Sequence, residues 1–234
     1  MAMHFEELKS KQRDIREGFP EELGLRVHRA ISWFGRAEKE QGDNDAAFLF
    51  LWISFNAAYA HEEEDSGFMK LGDRKQFIWF IEKMVALDEG GRLHDALWIK
   101  FRGPVAKLMQ NRFVYRPFWL NQNGLPGGEN WSKKWKRSAE HFVRDMADKH
   151  TARVLREVFD RLYVLRCQMV HGGTTWDSNV NRDQVMDGAA ILGTIVPVMI
   201  DLMMDNPEAD WGKPFYPVIS GATSGTKQAS PKHS

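Results

Sequence analysis

Arg166 and His171 stand five positions apart in the run Arg166-Cys167-Gln168-Met169-Val170-His171-Gly172-Gly173, and no other pair in the chain points to chemistry so directly. Arginine is a permanent cation whose planar fork grips oxyanions, and histidine is the side chain whose ordinary charge change falls near neutral pH. Their combined chemistry would be anion binding beside a proton-exchanging group.

Leu155, Phe159, Leu162, Met169 and Val170 precede and span this run at three- and four-residue steps, the period of one helix face. Arg166 follows Leu162 by four and so falls inside that stripe, where a guanidinium needs an anion, a partner chain or a cleft. His171 belongs to the last turn, whose negative dipole end favours a cation, and Gly172-Gly173 is a stop signal. Five residues rotate a side chain by about 140° and advance it by about 7.5 Å, so the two groups do not sit side by side on one helix. A second copy of the helix in a twofold dimer would bring two such pairs around one cleft.

The pattern R-x4-H near a helix end, written here RCQMVH, resembles the signature of the HEPN superfamily. LRVHRAISWFGRAEKE from Leu25 to Glu40 is similar to that family's opening helix, and FLFLWISFNAAYA from Phe48 to Ala60 to the second helix of its Apea-like branch. With NRDQVMDGAAILGTIVPVMIDLM after the motif, the resemblance spans residues 23 to 212. It implies an all-α, up-and-down helical bundle with additional helices, pairing as a twofold homodimer.

The resemblance also implies a metal-independent endoribonuclease acting on RNA. His171 would serve as base toward the ribose 2′-hydroxyl or as acid toward the leaving 5′-oxygen. Arg166 would hold the scissile phosphate and its extra transition-state charge. The products would be a 2′,3′-cyclic phosphate and a 5′-hydroxyl, with no cofactor or metal. Many family members resemble partners in toxin-antitoxin or antiviral systems, controlled by a protein such as a minimal nucleotidyltransferase. One position departs from the pattern: Cys167 follows the arginine, where the family commonly has Asn, Asp or His. A weaker donor there leaves three outcomes open: slower chemistry, altered specificity, or a dimer that binds RNA, a nucleotide or a protein without cutting.

Composition sets bounds on these expectations. The 234 residues, 43% hydrophobic and 27% charged, suffice for one large domain or one domain with a tail. Lys plus Arg and Asp plus Glu are 32 each, so any attraction for RNA must be local. The single cysteine precludes an intramolecular disulfide and suits a cytoplasmic setting. The longest apolar run, Ala46 to Ala60, contains Ser54 and Asn56 and reads as a buried helix and not a membrane span. The histidines and the cysteine show no zinc-ligand spacing, no phosphate-cradling glycine loop is present, and a Cys167–His171 thiol nucleophile lacks an orienting partner.

Helical periodicity covers most of the chain. Residues 1–20 form a polar leading helix ended by Gly18-Phe19-Pro20, and 21–212 a helical domain. Within it, helices are expected at 21–40, after the caps Asp43-Asn44-Asp45, at 73–88, up to 112 with a break at Gly103-Pro104, at 131–148, 151–171 and 182–205, the last kinked by Pro197. His61 to Asp65 reads as a solvated acidic turn. Residues 114–130 read as an exposed loop or inserted flap, and 213–234 as a partly disordered tail.

Several further groups are candidates for substrate contact. Lys133, Lys134 and Arg137 interleave with Trp131 and Trp135, a pattern that either grips phosphates and stacks bases or forms the wet side of a packed helix. Thr174, Thr175, Asn179, Asn181 and Arg182 leave the motif directly, as substrate contacts or as caps of the next helix. Asn56, in the most apolar helix, must find a hydrogen bond if buried and either ties helices together or orients site residues.

Overall fold

A computed structural model of the chain describes residues 3–61, 73–214 and 216–218. Among these every regular element is helical, and the β-type pairing is an isolated bridge between His61 and Pro214. The helices are α1 (Phe5–Ile15), α2 (Glu21–Ala37), α3 (Asn44–Tyr59), α4 (Asp73–Leu87), α5 (Arg92–Asp95), α6 (Arg102–Gln110), α7 (Arg116–Gln122), α8 (Trp131–Ala147), α9 (Thr151–Val170) and α10 (Arg182–Asp205).

The centre is made by α2, α3 and α10, each packed on the other two. The α2 face of Val27, Ala30, Ile31 and Phe34 is wholly buried, as its periodicity requires. α3 is apolar on all sides, and a helix without a polar face belongs inside a protein. Its Phe55 ring lies 4.5 Å from Phe159 of α9 and 4.6 Å from Tyr59. Ser54, the buried hydroxyl of α3, donates to the Ala30 carbonyl at 2.7 Å and so costs little to bury. α10 is long and apolar enough to cross a membrane, but two thirds (67%) of its apolar 18-residue stretch is buried as the spine of this core.

The leading helix is part of the same body. Phe5 of α1 sits where any side chain at Gly35 would be, since a Cβ there would lie 2.4 Å from the ring. Leu8 is buried, and Lys11 reaches Asp201 and Asp205 of α10 at 2.6 and 2.5 Å.

Two expectations need correcting. The helix expected up to 112 breaks at Phe101, after a π-helical turn over Ala96–Lys100, and not at Gly103-Pro104. Pro104 instead falls in the first turn of α6, where its missing N–H leaves no hydrogen bond unmade. The segment 114–130 is a loop only from 123 onward. Its first part forms α7, because Phe118 is buried and Trp119 and Trp131 pack at its edge, 5.2 and 5.0 Å away. A seven-residue helix is too short for its period to stand out among the flanking breakers. The acidic stretch beyond His61 and the tail beyond residue 218 lie outside the described residues.

Candidate functional site

α9 ends as its sequence requires. His171 is the C-cap, Gly172 takes φ +70°, and the amides of Gly172 and Gly173 bond back to the carbonyls of Met169 and Gln168 at 3.3 and 2.6 Å. This Schellman closure leaves the imidazole exposed just beyond the last helical residue.

The apolar stripe runs differently from the sequence expectation. Val154, Leu155, Val158, Phe159, Leu162 and Leu165 are buried, but Met169 is partly covered and Val170 faces solvent. The guanidinium enclosed by this helix is therefore Arg161, 2% exposed, and not Arg166. Arg161 Nη2 donates to Ser138 Oγ at 3.0 Å, which in turn donates to Glu157 at 3.2 Å, and its guanidinium lies over the Tyr115 ring at 4.2 Å. Its Nε is buried without a hydrogen-bond partner, and burial pushes its pKa below the usual arginine value.

Arg166 is half-buried and makes no hydrogen bond or ion pair among the described residues, so the anion its position calls for is not supplied by them. It lines a cavity of about 460 Å3 between α2, α3, α9, Pro214 and Tyr216, with Arg29, Trp33 and Asn56. Asn56 Oδ1 is buried there without a donor. The hydrogen bond expected at this atom is therefore not made by the described residues. Arg26, at the edge of the same cavity, is a structural arginine. It donates to the carbonyls of Ala58, Ala60, Gly212 and Lys213, and burial followed by Arg29 lowers its pKa to about 10.

His171 opens on another side. With Cys167, Gln168 and Trp119 it lines a cavity of about 310 Å3 between α9 and α7. Arg116 and Tyr163 line both this cavity and a neighbour of about 280 Å3 that contains Arg161 and the Arg74–Asp160 ion pair. Within one chain Arg166 and His171 thus face different cavities, as the turn of about 140° between them requires.

The remaining candidates divide by what holds them. Arg182 is committed to Asp45 at 2.6 Å and Asp177 at 2.7 Å, and Trp176 donates to Asp43 at 3.0 Å, so the 172–181 loop is pinned to the start of α3. Asn181 is the N-cap of α10 without a side-chain capping bond. Thr174 donates to the Thr175 carbonyl at 3.4 Å, and Thr175 is exposed. Lys133, Lys134 and Arg137 lie on the solvent side of α8, where Lys134 donates to the Gly127 carbonyl at 3.0 Å. Trp131 and Trp135 are half-buried, 6.4 Å apart, with Trp131 against Phe118, so these rings serve packing. Among the described residues no three His, Cys, Asp or Glu side chains come together as a metal site would need.

Arg29, Arg116, Trp119, Arg161 and Gln168 were not singled out by sequence. Arg161 had a usable signal, since it falls between Val158 and Leu165 at the same spacing that drew attention to Arg166. Arg116 and Trp119 had none, because they meet α9 only through tertiary packing. Comparison of the chain with family models, with curated proteins and with solved structures gave no match.

Proposed function

We propose that this chain is a HEPN-like endoribonuclease that cleaves RNA without a metal by 2′-hydroxyl transesterification, as a twofold homodimer in a toxin or defence setting. One observation carries the reading: Arg166 stands on a cavity wall with no counter-ion among the described residues, and five residues later an exposed imidazole caps the same helix. Arg166 holds the phosphate, where a permanent planar cation can follow its charge into the pentavalent state. His171 exchanges the proton of the 2′-hydroxyl or of the leaving oxygen. Because the two groups face different cavities of one subunit, a shared cleft needs the second copy.

The test is incubation of the purified full chain with single-stranded RNA in EDTA. Expected are fragments ending in 2′,3′-cyclic phosphate and 5′-hydroxyl, and a loss of at least about 100-fold in rate for His171→Ala with unchanged circular dichroism and oligomeric state. Undiminished cleavage by His171→Ala would reject the assignment. A second reading, a dimer that binds without turnover, is favoured by Cys167 beside the motif arginine and by the separation of the two cavities. It predicts no cleavage by either form and weaker RNA association for Arg166→Ala.

A further inference from the structure

The two cavities on the α7 side of α9 share Arg116, and their α9 residues run from Glu157 to His171, about 20 Å along the helix axis. They form one groove with three unfilled requirements. Arg161 Nε is a buried donor without an acceptor. Gln168 Oε1 is a buried acceptor without a donor; its orientation is fixed because the amide Nε2 donates to the Phe113 carbonyl at 2.7 Å. Arg116 is exposed and has no hydrogen bond or ion pair among the described residues.

The groove's own carboxylates do not meet these needs. Asp160 is held by Arg74 at 2.6 and 2.5 Å, and Glu157 pairs with Arg161 through Nη2 at 3.9 Å, which leaves the Nε–H unmet. Arg116 therefore leaves an uncancelled positive charge where the two cavities join. Beside it the Trp119 ring is 37% exposed, and its Nε1 is fixed to the Phe113 carbonyl at 2.7 Å, so a flat surface is held at a set angle. A simple anion would leave Gln168 unmet, and an apolar molecule would leave the arginines unmet. A nucleotide has the anion, the donor and the flat ring together.

We propose that this groove seats one nucleotide of the RNA strand adjoining the bond on which His171 acts. Its phosphate faces Arg116 and Arg161, its base lies on Trp119, and a ribose hydroxyl or base amine donates to Gln168 Oε1. The choice of an RNA strand as ligand rests on the endoribonuclease reading; the groove's unmet donors and acceptor do not.

The experiment is fluorescence anisotropy of a short single-stranded 2′-O-methyl RNA, which cannot be cleaved, with the full chain. Arg116→Ala, on an exposed side chain, is expected to weaken binding at least tenfold at low salt and to reduce the slope of log affinity against log salt by about 0.7. Trp119→Leu should weaken it by about tenfold through lost stacking. Lys39→Ala, at an exposed lysine in the turn after α2, should bind as the unaltered protein does. Undiminished affinity and salt slope in Arg116→Ala, or no binding by the unaltered protein, would overturn the inference. Cleavage of ordinary RNA alongside undiminished Arg116→Ala binding would remove the groove and leave the nuclease. Arg116-dependent binding without cleavage would do the reverse.

Discussion

Where α1, α5 and the last turns of α10 meet, charges are matched: Lys11 and Arg92 both bind Asp201 and Asp205, and Asp88 adds its carboxylate to Arg92. Around the C-terminal half of α9 the account is open, with Arg116 and Arg166 unpaired among the described residues and Asn56 Oδ1, Arg161 Nε and Gln168 Oε1 buried without partners. A closed network of this kind fixes helices to one another and offers a ligand nothing. Unfilled polar atoms cost folding energy, about 1–3 kcal/mol for each one fully buried, and give a ligand something to complete. The contrast separates charges that build the fold from charges available for function.

Substitution at the matched end gives the largest expected change in stability. Asp201 is 4% exposed, so Asp201→Ala removes the buried carboxylate shared by Lys11 and Arg92, leaves Asp205 to serve both, and should lower the unfolding free energy by about 2 kcal/mol in urea denaturation. No loss there would mean that the network is ornamental. A smaller effect is set by pH. Burial pushes the Asp205 carboxyl up, but hydrogen bonds from Lys11 and Arg92 outweigh it and hold the group below the usual carboxylate range. A carboxyl lowered by folding contributes stability above its unfolded value of about 3.9, and that contribution is lost as pH falls through the lower folded value. Thermal unfolding between pH 5 and 2 should therefore show a fall in midpoint that Asp205→Asn flattens; parallel curves would separate Asp205 from the acid response.

The smallest expected change is at the open end. Arg166→Met should change the unfolding free energy in urea by no more than about 0.5 kcal/mol, in either direction, because no partner among the described residues is left behind. A loss above about 1.5 kcal/mol would reveal an ion pair and erase the contrast. The same variant should lose RNA cleavage, which divides the energetic from the chemical role of the guanidinium.

Much of the architecture was readable without coordinates. The faces of α2, α4 and α10 and the cap of α3, where Asp43 accepts from the Ala46 amide at 2.9 Å, are local patterns that the chain expresses within one element. The π-helical turn before Phe101 and the existence of α7 were not readable, since each depends on which aromatic rings happen to meet. At the site, the position of His171 at the end of its helix followed from the Gly172-Gly173 stop. That Arg161 and not Arg166 is enclosed did not, because the stripe alone does not say where the covering helix ends.

What the sequence determined by itself is the periodicity and the terminations: an all-α chain, a helix carrying Arg166 and His171, and an angle between them that keeps them apart. Those follow from backbone geometry, which is the same in every helix. Tertiary structure alone decided which cation is buried, which is paired and which faces an empty wall. Partnership between charges depends on distances across elements far apart in the chain, such as Lys11 to Asp201, and no local rule contains that information.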